Sequence, residues 1–435
     1  MEQKRETPIG RIGVDVQGAM REAISNTYKD SEKGGIYKIF RVENDVYERV
    51  PFVKNDGMQR IEIRKRTRKA IAERYGNRFV ENTPYYDGFV NIPSHTNYQQ
   101  VVPNGGNGLY NKYHPLMFQP EQGVHPSWDI LIDHIGGEQR DLLWDYLTIL
   151  YRYPTQILPV LCLASKENGT GKSTFANALG WIFGENVSLL TQTDLQSQFN
   201  FWVTKLIAVF EEVSDSKKAI NTIKAFSTAK SASLNEKNEK QTNVESFLKI
   251  LINTNNEDDF IKANNEDIRY WVIRVKPIDT YDPNFDSKLL AEVPAVMWTL
   301  VNREISTPKK SRMWFEPRLL KTEALANVVA NSRSECAKEI LEWAGDKIRA
   351  SGKGFSANLT DIKDDMGCKY ERTPIRNALK ELGMAPTDGR YIKWDGSSGN
   401  GRYYTFTLPT AEDPKIANAE FTKICEDDAN GDTPF

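Results

Sequence analysis

A glycine-rich turn between two apolar segments constrains this chain more than any other stretch. It reads Lys166-Glu-Asn-Gly-Thr-Gly-Lys-Ser-Thr174, with an apolar run at 156–164 before it and apolar residues at helical spacing over 175–183 after it. The run is long enough for a buried strand and too short to cross a bilayer. A strand, a glycine-rich turn and a helix N-terminus together aim backbone N–H groups and the helix dipole at an anion, which is how phosphate is held. Gly169 and Gly171 allow close backbone approach, with Thr170 between them. Lys172 is placed to reach the β- and γ-phosphates of ATP, and Ser173, with Thr174 beside it, offers a hydroxyl to Mg²⁺. Lys166 replaces the usual first glycine of G-x-x-x-x-G-K-[ST], so the turn taken alone is either a nucleotide site or a chance glycine-rich loop.

Three further pieces follow in order. Leu206-Ile-Ala-Val-Phe-Glu-Glu212 is an apolar run ending in paired carboxylates. One, Glu211, is positioned to hold Mg²⁺, and the next, Glu212, to orient and deprotonate an attacking water. Ile250-Leu-Ile-Asn-Thr-Asn255 is a second apolar run, ending in a polar sensor, Asn255, and Arg269 lies just beyond it. Each has a plainer reading: solvated glutamates, an asparagine-rich turn, a surface arginine. All four in this order, within about a hundred residues, describe a P-loop ATPase of α/β class.

At this point the chain resembles the superfamily 3 helicases, of the primase–helicase type found in phages and mobile elements. The resemblance covers roughly residues 105–280 and includes Asn111-Lys-Tyr-His114, Leu131-Ile-Asp-His134 and the stretch 151–154. It implies an AAA+-like core that assembles into hexameric rings and moves on single-stranded or forked DNA. By position, Lys172 and Ser173 look like the family's Walker A pair and Glu211-Glu212 like its Walker B pair. Asn255 looks like its sensor, and Arg269 like the finger inserted into a neighbouring subunit's site. The resemblance also implies a DNA-gripping hairpin between the Walker B strand and the sensor, with Lys237 and Lys240 as phosphate contacts and Lys230 behind them. No primase catalytic cluster is evident.

Composition fits a motor with accessories. The 435 residues allow two to four domains, and 27% are charged, which fits a soluble, cytoplasmic protein. The net charge of −2 requires any DNA contact to come from local patches. The first residues show no apolar signal segment, and four scattered cysteines without a C-x-x-C pair fit a reducing compartment. His95, His114, His125 and His134 cluster in one stretch, but their irregular spacing favours packing roles over a metal site.

The flanks divide as follows. Residues 1–105 form a small α+β accessory domain, with a hairpin about Asn44-Asp45 and a basic helix over 60–75. Between Ile61 and Val80 seven Lys/Arg face two Glu, a local excess of +5 that suits either a DNA-feeding collar or a solvated face. Turns are expected at 87–91 and 104–108, ahead of a helical collar or linker at 106–155 and the ATPase core at 156–280. A helical lid or linker spans 281–332, and 333–409 has three helices and a hairpin, the pattern of a winged helix. Its third helix is expected to start at Thr373-Pro374 with a cap and N1 proline, exposing Arg372, Arg376 and Lys380 for DNA, unless the domain serves instead to dock a protein. From 410 to 435 the chain is an acidic tail ending Asp432-Thr-Pro-Phe435, which resembles the tip of bacterial single-stranded DNA-binding proteins. It is either a solubilising tail or a contact for host replication proteins, with a separate primase or polymerase as a further partner. The reading is an ATP-dependent DNA helicase of a phage or mobile element, with no membrane partner. Its rivals are a DNA-stimulated ATPase that remodels a replication complex without unwinding, and a non-catalytic origin or single-strand-binding protein.

Overall fold

The computed structural model describes residues 38–53, 59–213, 217–237, 241–258, 260–263 and 267–407. Lys240, the acidic tail and the start of the first hairpin lie outside these residues.

The centre is a five-stranded parallel sheet. In spatial order its strands are Tyr270–Arg274, Val160–Ala164, Lys249–Thr254, Ile207–Glu211 and Val187–Thr191. Parallel strands covered on both faces read as continuous apolar runs, and every residue of Val160–Ala164 is buried. Alternate residues then face opposite layers. Leu161, Leu163, Val209, Leu251 and Trp271 pack into one core with the helices Arg140–Arg152, Lys172–Phe183 and Val293–Asn302. Cys162, Phe210, Ile250, Ile252 and Val272 pack into the other, against Lys217–Phe226 and Glu323–Asn331. Ligands bind beyond the carboxyl ends of such strands, and the glycine-rich turn lies there.

The helices ahead of the sheet dock on those after it. Trp128 Nε1 donates to the Leu289 carbonyl at 2.9 Å, and Glu292 accepts from Ser127 N at 2.9 Å and Ser127 Oγ at 2.8 Å, capping the helix Pro126–Gly136. Buried Asp145 binds Arg303, the Ser306 hydroxyl at 2.8 Å and the Thr307 amide at 2.8 Å; burial works against its charge, but these donors hold the carboxyl below the usual range. The helical part of the 281–332 segment comprises Phe285–Ala291, Val293–Asn302 and Glu323–Asn331.

The N-terminal part departs from the expected basic helix. Residues 60–75 divide into a strand, Gln59–Arg66, and a helix, Arg68–Tyr75, capped by Thr67 Oγ1 on Ala70 N at 3.2 Å. The strand pairs along its whole length with Asp45–Val53, so Arg64 and Arg68 lie on different elements. The expected hairpin is present, with Ile39–Val42 paired to Asp45–Val53 around Glu43-Asn44. Gly88–Val90, expected as part of a turn, is a strand paired with Leu109–Asn111. Residues 104–108 do form a loop, tied to Asp87 through Asn107 N at 2.8 Å and Asn104 Nδ2 at 3.0 Å.

The C-terminal part contains helices Glu335–Ser351, Leu359–Asp365 and Arg372–Glu381 and a three-stranded antiparallel sheet, Phe355–Ala357, Ser398–Phe406 and Thr387–Ile392. Ile340, Ala344, Ile348, Ile362, Ile375 and Leu379 form its core with Phe355 and Phe406. The third helix starts at Arg372 with Glu371 as N-cap, so Thr373 is not the cap and Pro374 is the third helical residue. A proline there is tolerated because the first-turn N–H groups lack helical partners anyway.

Candidate nucleotide site

Four segments meet at the carboxyl edge of the central sheet. The glycine-rich turn leaves Val160–Ala164 and enters the helix Lys172–Phe183, with Gly169 at φ 68° and Gly171 at φ 81°. Both angles lie in the left-handed region that favours glycine. At Gly171 space is short as well, since a Cβ would stand 3.4 Å from Ile278 Cδ1 and 3.7 Å from His134 Cδ2. Ile278 N donates to the Gly169 carbonyl at 3.2 Å, and His134 Nε2 lies 3.0 Å from the Thr170 carbonyl. The turn is thus braced from the segment after the sheet and from the helix before it.

Lys172 is the hub. Its ammonium donates to Thr170 Oγ1 at 3.1 Å and to Asn255 Oδ1 at 3.0 Å, joining the turn to the residue beyond the strand Lys249–Thr254. Burial lowers its pKa, while Glu212, Glu211, Glu257 and Glu167 act to sustain the charge. Asn255 Nδ2 also reaches Asn168 Oδ1 at 3.2 Å. Thr170 is buried, Ser173 is exposed and Thr174 is half-buried in the first helical turn.

The paired carboxylates part in direction. Glu211 is the last residue of its strand and stands opposite Asn253, whose Nδ2 donates to Glu211 Oε1 at 2.9 Å. Glu212 leaves the sheet at φ 53°, a strained angle for a residue with a side chain. Its amide is fixed to the Asn253 carbonyl at 2.9 Å, and its Oε2 lies 3.5 Å from Asn255 N. Asn253 is fully buried and its Oδ1 has no protein partner. Glu211, whose Oε1 is held by Asn253, and the exposed Ser173 hydroxyl at the start of the helix Lys172–Phe183 each offer a hard oxygen of the kind Mg²⁺ prefers.

Several members of this site have no role that the sequence assigns. Glu257 accepts from Lys166 N at 3.0 Å and from Arg274 Nε at 2.8 Å, so it clamps the residue that replaces the usual glycine. Burial opposes its charge, but Arg274 and the Lys166 amide pull its pKa below the ordinary value of 4.5. Asn253, Asn168 and His134 also join only in three dimensions.

Arg269 is not brought to this site. It precedes Tyr270–Arg274, whose other end runs beside Ala164 at the start of the turn. Five strand residues separate it from that edge, about 16 Å at strand rise. Its Nη1 meets Asp267 Oδ2 at 3.1 Å, and its buried Nε has no partner. Lys230 and Lys237 are exposed, Lys230 at the base of the hairpin Ser231–Leu234/Thr242–Glu245, where its carbonyl accepts from Ser246 N at 3.0 Å, and Lys237 in the connection between the strands. Arg372, Arg376 and Lys380 are exposed on the third C-terminal helix, Arg372 bonding to Thr360 Oγ1 at 2.7 Å. The four histidines bond to protein groups: His95 to the Tyr151 carbonyl at 2.6 Å and Tyr113 OH at 2.7 Å, His125 to Thr299 Oγ1 at 2.8 Å, His134 to Thr170, and His114 through its amide to Asn186 Oδ1 at 3.0 Å.

Comparison with known proteins gives sequence matches over part of the chain and a match of fold over most of it. Residues 163–269 match a family of unknown function, DUF5906. The chain is 32% identical over 139 residues to a DNA primase-polymerase of Nitratiruptor phage NrS-1, an alignment covering 30% of this chain and 19% of that protein. The chain therefore spans about a fifth of that relative's length. Its fold is that of the NrS-1 C-terminal region, with a TM-score of 0.59 over 88% of this chain and 98% of that one at 17% identity. A second structure of that region, in its A form, gives a TM-score of 0.55 over 83% and 95%. Among the described residues no helix is long and apolar enough to cross a membrane.

Proposed function

We propose that this chain is an ATP-dependent DNA helicase of a phage replication module, with an AAA+-like P-loop core of the superfamily 3 type. The observation that carries the reading is the Lys172–Asn255 contact at 3.0 Å, with Glu211 and Glu212 at the adjoining strand end. A lysine on the phosphate turn, a sensor touching it and two differently held carboxylates are the parts that nucleotide hydrolysis requires. In this reading Lys172 exchanges its Thr170 and Asn255 contacts for phosphate oxygens, beside the Gly169, Thr170, Gly171 and Thr174 backbone. Ser173 and Glu211 hold Mg²⁺, which neutralises phosphate charge when bound. Glu212, turned out of the sheet, orients the attacking water and takes its proton, and Asn255 relates phosphate to Glu212 through its amide.

The rest of the motor follows the same reading. Arg269, remote from its own turn, serves a neighbouring copy's site in a hexameric ring. Lys230 and Lys237 line a hairpin that meets the DNA strand, with Lys240 beyond the described residues. The C-terminal part is a winged helix whose Arg372, Arg376 and Lys380 contact DNA phosphates. Host replication proteins and a primase or polymerase are the proposed partners, met in the host cytoplasm, the former through the acidic tail.

The test is paired. Lys172→Ala should abolish ATP binding, whereas Glu212→Gln should bind ATP and hydrolyse it at least about a hundredfold more slowly. Both should fail to separate a forked substrate that the unaltered chain unwinds. Normal hydrolysis in Glu212→Gln would overturn the assignment, and DNA-stimulated hydrolysis without strand separation would reduce the protein to a remodelling ATPase.

A further inference from the structure

Away from the nucleotide site, the N-terminal part carries exposed aromatic rings where a soluble surface would ordinarily carry polar groups. Tyr75 ends the helix Arg68–Tyr75 and Phe79 lies on the next short helix, Asn77–Glu81. Their rings stack with centroids 4.8 Å apart and planes 25° apart, and they remain 36% and 41% exposed. The Arg74 guanidinium lies over the Tyr75 ring, 5.1 Å from its centroid. Immediately after Asn77–Glu81, exposed Tyr85 carries the Arg41 guanidinium 5.7 Å from its ring centroid, and Arg41 Nη2 also reaches the Glu81 carbonyl. The pattern repeats in a small area: an exposed ring with a guanidinium over it, Arg74 exposed and Arg41 half-buried.

The surrounding charge identifies the occupant. Residues 59–81 contain eight Lys/Arg and three Glu, a net charge of +5 in a chain whose total is −2. Arg66 and Arg74 share the buried Glu48, at 2.8 and 3.4 Å, whereas Arg68 and Arg78 have no ion pair among the described residues. An apolar partner would gain nothing from this charge, and a duplex has its base faces already stacked. A single strand offers both what the rings take, a free π-face, and what the cations take, a phosphate chain.

We infer that Tyr75, Phe79 and Tyr85, with Arg74, Arg41, Arg68 and Arg78, form a stacking platform for single-stranded DNA, separate from the motor and independent of ATP. Phe79, the most exposed of the three rings, receives a base on its open face, and the guanidinium groups track the adjoining phosphates. The inference stands on the chemistry of this surface and does not depend on nucleotide hydrolysis.

The experiment uses the full chain bearing Lys172→Ala, without nucleotide, so that motor-driven binding does not contribute. Binding of a fluorescent oligo-dT and of a hairpin duplex of equal length is followed by anisotropy at two salt concentrations. Tyr75→Ala with Phe79→Ala should weaken the single strand by about fivefold to a hundredfold, from the usual contribution of a base–aromatic stack. Duplex binding should be unchanged. Tyr75→Phe with Phe79→Trp should retain single-strand affinity, and Arg68→Gln with Arg78→Gln should reduce its salt dependence. A 2-aminopurine base in the strand should be quenched by the parent chain and not by the double alanine variant. A loss below twofold, or an equal loss for duplex, overturns the platform. Absence of ATPase activity in the unaltered chain would count against the motor and leave this result intact.

Discussion

Replacing Glu257 tests whether the altered first position of the phosphate turn is held by a side chain from elsewhere in the fold. Its carboxylate lies 91 residues from the amide it accepts, and that bond, at 3.0 Å, fixes the backbone at Lys166. A hydrogen bond to an ionised, largely buried acceptor is worth about 1.5–3 kcal/mol. The Arg274 pair adds less, because the Arg274 side chain is 53% exposed and solvent screens it to about 1 kcal/mol or below. Glu257→Ala removes both and frees the entry of the turn. If one to two kcal/mol of the turn's ordering then has to come from ATP binding, the Kd for ATP should rise about five- to thirtyfold. Glu257→Gln keeps an oxygen for the Lys166 amide and should cost about threefold or less. The assay is titration with a fluorescent ATP analogue, alongside thermal melting to show that the sheet remains folded. Unchanged affinity in Glu257→Ala, or a glutamine variant as weak as the alanine, would refute this account of the clamp. The pH sign follows from the lowered pKa: the contribution is complete above the ordinary carboxylate value of 4.5 and is lost as pH falls below it through the folded-state value.

Two further predictions concern regions outside the turn. His95 is pushed down to about 4 from 6.5, chiefly by burial, so it stays neutral in the folded chain while the unfolded chain takes up a proton. Stability should therefore fall by up to about 3 kcal/mol as pH drops from 6.5 towards 4, and His95→Gln should flatten that slope in urea unfolding; an unaltered slope would remove His95 as its cause. For the proposed ring, Arg269→Ala and Lys172→Ala chains should each be inactive alone. Mixed in equal amounts they should regain ATPase at about a quarter of the interfaces, since each restored site joins an intact Lys172 to a neighbour's intact Arg269. No recovery at any ratio would place Arg269 outside the reaction.

The sequence alone determined the parts governed by short-range rules. The run before the turn, the two glycines and the helix after it are consecutive, and their backbone requirements are local, so the strand Val160–Ala164 lies within the apolar run at 156–164 and the helix Lys172–Phe183 takes in 175–183. The strand ending in Glu211 and the one ending just before Asn255 were legible for the same reason, because buried parallel strands appear as largely apolar runs. What decided the strand Gln59–Arg66 was its partner: Ile61 and Ile63 alternate, but the basic run over 60–75 reads as a helix until eight backbone pairings with Asp45–Val53 outweigh it. The direction of each carboxylate was likewise tertiary, since Asn253 holds Glu211 across the sheet while Glu212 turns away at φ 53°. Glu257, Arg274 and His134 converge on the turn from three separate segments, and no spacing along a chain encodes such a meeting. It arises only because burying both faces of the sheet fixes the order of its strands, and that order brings their carboxyl ends together.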